Sequence, residues 1–348
     1  MERFLPRVLA LGHRAPALAL LKAVDAYLVG PILGRALVPP QPREPPADWF
    51  RSPEAIHWMR PGGMGDWAVL APFIEGTRRL RRHPEDTLWV TEAAYPFAEA
   101  YHSARGNLQV RKISLPALAL APPPGLLIQT DLFHPVAWVL SNLLRPRRIL
   151  APPFPDPRNL AALPPEPMQR TFQRLHPGVI PAPFPDARPQ GGVILVFAAG
   201  NHPSRRLPPG TLAALLARGF HQGIWFGPAP GPFPEGWTLH RGPLPVPVLL
   251  RHLEHALAVV TPDSGPHHLA ELLGTPSLGY FTSGEWERWG WPGIHKISLI
   301  SSFSCTGCTR LALPSPCPHH WGCVHAEDAD RLADLLLDLV GSSTARLS

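Results

Sequence analysis

Two blocks of short apolar runs, each run followed by residues at helical spacing, dominate the pattern along this chain. In the first block AIHWM predicts a strand from Ala55, GGMGD a tight turn, and WAVLAPFIEGTRRLRR a helix. That helix places Trp67, Leu70, Phe73, Ile74 and Leu80 near one face, and Pro72 inside it predicts a kink or a later start. TLWVTEA, LQVRKI and LLIQT predict further strands, the last leading into the apolar segment PVAWVLSNLL. In the second block the strands are VILVFAAG, GIWFG, LAVVTP and PSLGYF, and the helices lie around TLAALLARG, PVLLRHLEHA and PHHLAELLG. EDADRLADLLLDLV predicts a terminal helix. Strands alternating with helices predict an α/β protein with two Rossmann-like domains facing across a cleft, ligands binding at the carboxyl ends of the strands.

The boundaries follow from composition. With 348 residues the chain is comfortable for two domains, and its 48 prolines cluster between elements as punctuation. Residues 55–150 form the first domain and 191–348 the second. Residues 151–190, with APPFPDP, LPPEP and IPAPFPDARP around one short helical stretch near Arg170, are expected to link them. Residues 1–54 form an N-terminal extension. Leu18, Leu21, Val24 and Leu28 beside Arg14, Lys22 and Arg35 fit a helix lying on a membrane surface, or equally one packed on the first domain. Pro39 through Pro46 read as a connector.

The net charge of +6 is carried by arginine, the lysines being Lys22, Lys112 and Lys296. Arginine suits phosphate, so an anionic partner is expected: a nucleotide sugar, a phosphorylated glycolipid, a membrane surface or nucleic acid. A GC-rich genome explains the arginine bias equally well. No basic stripe with interleaved aromatics supports nucleic acid. No run reaches the roughly 20 apolar residues that span a bilayer, and Lys22 and Asp25 interrupt the nearest thing to a signal peptide. Cys305, Cys308, Cys317 and Cys323 lie close together rather than spread as a disulfide framework. These features predict a cytoplasmic protein, peripheral on the inner membrane face, without a transmembrane segment.

Four runs could carry chemistry. In TPDSGPHHLAELLG, residues 261–274, a strand ends at a turn holding Asp263 and Ser264, with Ser264 placed as N-cap. Gly265 lets a ligand approach, the helix start offers N–H groups to a diphosphate, and Asp263 and His268 could hold sugar or ribose hydroxyls. Taken alone, the run reads as a capped βα turn with His268 packed. In MRPGGMGDWAVLAP, Gly65 and Asp66 open a helix; Asp66 fits a base or a simple cap, and no Lys-Ser/Thr follows to make a P-loop. In FAAGNHPSRRLPPGTLAALL, Arg205 and Arg206 precede a helix start, where cations are unfavourable unless an anion is present. The cysteines, spaced C-x2-C-x8-C-x5-C, suit a tetrahedral zinc with His319, His320 and His325 as substitutes, and reduced thiols or a local disulfide fit as well. The aromatic run GEWERWGWPG could line the ligand pocket with Arg288 near phosphate, or cover a domain interface. Glu235 is placed toward a nucleoside by position alone.

Taken together, these runs resemble glycosyltransferase family 9, the ADP-heptose:lipopolysaccharide heptosyltransferases. The family's Asp-Thr/Ser-Gly-x-x-His falls on Asp263, Ser264, Gly265 and His268, leaving His267 as a neighbour. The resemblance covers nearly everything from residue 55 onward. It implies a GT-B type enzyme that transfers a sugar, heptose from ADP-heptose, to lipopolysaccharide or another cell-surface glycan, with inversion and without a catalytic metal or cofactor. The implied partners are a nucleotide-diphosphate sugar and a glycolipid acceptor at the membrane. Asp66 is implied as general base, and Arg205 stands where the family carries a Lys facing the departing diphosphate. Gly200-Asn201 departs from the hydroxyl residues often found there. The rivals are a same-fold transferase using another nucleotide sugar such as a UDP-sugar, a basic zinc-containing binding protein, and an inactive family member.

Overall fold

The computed structural model describes residues 46–106, 108–130, 140–152, 167–185, 192–200, 202–290, 296–308, 317 and 319–345. The helix expected within residues 1–40 and Asn201 lie outside them, as does the first half of PVAWVLSNLL, residues 135–139. The chain divides into two compact units, residues 1–182 with 314–316, and residues 183–313 with 317–348.

In the first unit β1 (Ile56–Arg60), β2 (Thr87–Val90), β3 (Gln109–Lys112), β4 (Leu126–Gln129) and β5 (Arg148–Leu150) form one parallel sheet in the order β3-β2-β1-β4-β5. Every residue of β1, β2 and β4 is buried, as expected of central parallel strands covered on both faces. Helices α1 (Met64–Leu80), α2 (Tyr95–Ser103) and α3 (Leu115–Leu120) connect them. Helix α1 begins before Trp67 and carries Pro72 in its interior, contrary to the later start that Pro72 suggested. Its buried face from Trp67 to Arg78 outweighs the one hydrogen bond a proline removes.

The expected boundaries shift at both ends of this unit. Phe50, placed in the N-terminal extension, is fully buried with its ring 5.6 Å from His176. The helix expected near Arg170 is α4 (Met168–Leu175), and it belongs to the first unit rather than to a free linker. Phe73 meets Phe172 edge-on, Ala182 N–H donates to Pro72 O at 2.8 Å, and a Cβ on Gly76 would lie 2.3 Å from Ile180 O. Buried indoles here are each met by an imidazole: Trp58 donates to His176 at 3.1 Å and Trp89 to His57 at 3.2 Å.

In the second unit β6 (Ile194–Phe197), β7 (Gly223–Phe226), β8 (Trp237–His240), β9 (Ala258–Pro262), β10 (Ser277–Phe281) and β11 (Lys296–Ile300) form a parallel sheet ordered β11-β10-β9-β6-β7-β8. Counted within the unit this is 3-2-1-4-5-6 read from the other edge, the doubly wound dinucleotide-binding order. Its helices are α5 (Thr211–Ala217), α6 (Val246–His255), α7 (Gly265–Leu273), α8 (Trp286–Trp289) and the terminal α9 (Asp328–Ala345). Tyr280 OH ties α9 to the sheet by donating to Asp328 at 2.7 Å. Among the described residues no helix is long and apolar enough to cross a membrane.

Burial pushes His57 and His176 from 6.5 down to about 4. The unfolded chain therefore takes up protons first as pH falls, and stability present above pH 6.5 is lost on the way to about 4. At about 1.4 kcal/mol per pK unit each histidine removes about 3 kcal/mol. Urea unfolding of the first unit, read by tryptophan fluorescence at pH 7, 5.5 and 4.5, should show the midpoint falling at each step. A midpoint independent of pH would contradict this.

Candidate active site

Each sheet reverses its strand order beside its first strand, between β1 and β4 and between β6 and β9. The loops leaving those strands diverge, and the crevice at their carboxyl ends is where open α/β sheets bind ligands. Both motifs singled out from the sequence fall at these two points.

In the first unit Arg60 ends β1 and is almost wholly buried. Its guanidinium donates to Thr130 O at the end of β4 and to Asp66 Oδ1, both at 2.6 Å, and stands over the Phe172 ring. Asp66 Oδ2 accepts the Gly63 N–H at 2.8 Å. Asp66 thus performs the capping role open to it, and it also keeps about a third of its side chain exposed (32%). A carboxylate has further lone pairs beyond these two contacts. Gly62 makes the arrangement feasible, because a Cβ there would lie 2.5 Å from Asp66 Cγ. Thr91 holds the same loop by donating to Gly62 O. Gly65, buried in the first turn, lets α1 start against the sheet.

In the second unit the loop after β6 folds back on itself: Leu207 N–H donates to Ala198 O, Gly200 N–H to Arg205 O, and Ala199 bridges Arg206. This turns Arg205 toward the end of β9, where its guanidinium lies 3.4 Å from Asp263 Oδ2. That is longer than the 2.7–2.9 Å of a well-formed charge-assisted bond, and Arg205 stays 27% exposed, free to turn to an anion. Arg206 is exposed and lies opposite Ala199 in that bridge. Asp263 is buried, its N–H donates to Tyr280 O, and a Cβ on Gly284 would lie 1.9 Å from its Oδ2. Ser204, fully buried, joins Ser283 and Thr282 at the end of β10 and fixes the Arg205 loop to that strand.

Helix α7 departs from expectation at its start. Ser264 occupies the N-cap position, but its hydroxyl bonds to Thr261 Oγ1 at 2.7 Å and makes no side-chain cap. Pro266 has no N–H and His267 N–H goes to Ser264 O, so the helix start offers fewer donors than the sequence suggests. The positive charge beside this helix start is Arg205, 3.4 Å from Asp263 Oδ2. At the far end Gly274 (φ 78°) closes α7, with Thr275 N–H on Ala270 O. His268 is buried 3.4 Å from Lys296 Nζ, and Lys296 also meets Glu271 at 2.9 Å. Burial, then Lys296 and Arg205, hold His268 well below the ordinary histidine value, so the ring is neutral. His267 is fully buried against Gly279 and takes no part at the surface.

Glu235, Arg288 and the four cysteines stand apart from this group. Glu235 is exposed just before β8, at the amino end of the strands, the edge opposite Asp263. Arg288 is buried on Glu285 at 2.8 Å. The cysteines gather but do not form a ligand set: among the described residues no three His, Cys, Asp or Glu side chains could hold a metal ion. Burial, then the three other thiols, push the Cys323 thiol up to about 11. The 309–316 stretch that joins Cys308 to Cys317 lies outside the described residues, apart from which Cys317 Sγ accepts the Trp321 N–H at 3.3 Å. Trp321 (φ 65°) meets His202 edge-on at 4.7 Å, so this loop braces the Arg205 loop. Elsewhere, a shallow hollow of about 470 Å³ lined by Ser52, Pro53, Glu54, Arg147 and Arg148 opens at the amino ends of the first sheet, away from either crevice.

Residues 242–312, which include Asp263, Ser264, Gly265 and His268, match the model of glycosyltransferase family 9 (heptosyltransferase). In this segment the chain is similar to the glycosyltransferases of family 9. No curated protein matches it by sequence. Its fold is similar to that of a family 9 glycosyl transferase from Veillonella parvula (15% identity, 82% of this chain and 97% of that one, TM-score 0.58). It is also similar to E. coli heptosyltransferase WaaC with ADP (11% identity, 82% and 99%, TM-score 0.55). A third is the iron-containing dodecameric glycosyltransferase TibC from enterotoxigenic E. coli (13% identity, 84% and 77%, TM-score 0.55). The α/β class with two Rossmann-like sheets and the GT-B fold expected from the sequence are thereby shown.

Sequence reasoning missed Gly62, Gly284, Glu271 and Lys296. Only Lys296 left a signal, a rare lysine at the head of the apolar run KISLI. Gly62→Ala should dislodge Asp66 from Gly63 N–H and Arg60 and destabilise the protein by about 1–2 kcal/mol, the cost of a lost cap. Urea unfolding measures this; an unchanged midpoint would show that Asp66 does not hold the loop.

Proposed function

We propose that this enzyme transfers heptose or a related sugar from an ADP-linked donor to lipopolysaccharide or another cell-surface glycan, with inversion at the anomeric carbon. The observation that carries the reading is the meeting of Arg205, Asp263 and His268 at the strand reversal of the second sheet, within the segment that matches the family model. WaaC with ADP makes ADP the first nucleotide to try. The acceptor is a glycolipid at the inner membrane face.

In this reading the second unit binds the donor. Asp263 and neutral His268 hold hydroxyl or phosphate oxygens, and Arg205 turns from its long contact with Asp263 to the diphosphate. Charge builds on the diphosphate as the glycosidic bond breaks, so a cation there stabilises the transition state more than the ground state. Arginine in place of lysine offers a planar fork able to grip two oxygens. The first unit supplies Asp66, whose carboxylate takes the proton of the attacking acceptor hydroxyl. Arg60 behind it keeps that carboxylate oriented. The reaction uses no catalytic metal. The four thiols do not fit a zinc site as placed, and no step is assigned to them.

Thermal shift with a panel of nucleotide sugars tests the donor: ADP-heptose and ADP should raise Tm, and UDP-sugars should not. Stabilisation by UDP-sugars alone would move the reading to another donor, and stabilisation by none would contradict it. Asp66→Ala should lower transfer by at least about 100-fold while ADP affinity changes less than about threefold. Turnover retained in that variant would remove Asp66 as the base.

A further inference from the structure

Lys296 is the first residue of edge strand β11, yet only 2% of it is exposed. Burying an ammonium is costly unless its donors are met. Here Nζ is 2.9 Å from Glu271 Oε2, 3.4 Å from His268 Nδ1 and 3.4 Å from Trp289 O. His268 and Glu271 are three residues apart on α7 and so share one face, which Lys296 spans. An ion pair with Glu271 alone would fasten β11 to α7. The contact with His268 does something more.

We infer that Lys296 is a positioning residue for His268: by donating to Nδ1 it fixes the tautomer that carries its proton on Nε2, ready to donate to an oxygen of the nucleotide sugar. This rests on the reading of His268 as a donor-site residue. A neutral imidazole must choose one nitrogen for its proton, and the hydrogen bond made by the other nitrogen decides which. Among the described residues, the charged groups acting on the ring are Lys296 from β11 and Arg205 from the loop after β6, with neutral His267 beside it, while Glu271 on α7 and Asp263 at the end of β9 act on Lys296. Burial, Lys296 and Arg205 all oppose a second proton, so the tautomer is the variable the protein controls. Glu271 in turn counters the burial that pulls the ammonium's pKa down.

The test uses the full chain with ADP as probe. Four proteins are compared by calorimetry: wild type, His268→Ala, the pair Lys296→Met with Glu271→Leu, and the triple variant. Removing both charges of the pair together leaves no orphan charge, which protects folding. If Lys296 acts through His268, the first two variants each weaken ADP about tenfold and the triple is no worse than either. Nitrogen-15 shifts of the His268 ring should show a protonated Nε2 in wild type and a mixture of tautomers in the pair variant. Independent losses that multiply to about 100-fold in the triple, or a wild-type proton on Nδ1, would overturn the inference. Unchanged affinity in His268→Ala alone would instead remove His268 from the donor site, and this role for Lys296 with it.

Discussion

The contact between Arg205 and Asp263 depends on where the second sheet reverses its order. Strands β6 and β9 lie side by side, but the chain leaves them in opposite directions, so the two following loops part and expose the strand ends. Asp263 comes from one loop and Arg205 from the other. Neither is held by its own segment alone: Ser204 binds the Arg205 loop to the end of β10, and Gly284 makes room for the Asp263 carboxylate. The first sheet repeats the arrangement with the roles exchanged, Arg60 from the strand end and Asp66 from the helix that follows. In both places a carboxylate faces a guanidinium at a parting of strands, and the two pairs differ in length. The 2.6 Å pair in the first unit fixes a carboxylate, whereas the 3.4 Å pair in the second leaves an arginine able to move.

How far the sequence shows this follows from burial. Central strands β1, β2, β4, β6, β9 and β10 are predominantly apolar, buried runs and are legible as such, because both faces of a parallel sheet are covered. The unrecognised strands are β5, β8 and β11, all at sheet edges and built from mixed runs such as RIL, WTLH and KISLI. Losing β8 also misplaced Glu235, since nothing in a linear sequence says which end of a strand a neighbouring loop occupies unless the strand itself is seen. Losing β11 hid Lys296. Ser264 illustrates another limit: the residue type and position of an N-cap were right, and a competing hydroxyl at Thr261 took the bond.

Several buried polar side chains in both units, such as Trp58, Trp89, Ser204 and Lys296, are paired in ways that hold the fold. Trp58 and Trp89 of the first unit each need an acceptor for a buried indole N–H, and the neutral imidazoles of His176 and His57 supply it. In the second unit the buried His268 imidazole instead meets the Lys296 ammonium, 3.4 Å from its Nδ1. The cysteine loop is part of this scaffold as well, since Trp321 from that loop packs on His202 of the Arg205 loop.

The central claim is that a nucleoside diphosphate binds at the carboxyl ends of β6 and β9. Hydrogen–deuterium exchange of the full chain with and without ADP tests it most directly. ADP should slow exchange in peptides covering residues 198–207 and 261–268 and leave those covering 52–54 and 147–148 unchanged. Protection confined to the amino ends of the strands, or absent from both loops at saturating ADP, would contradict the account.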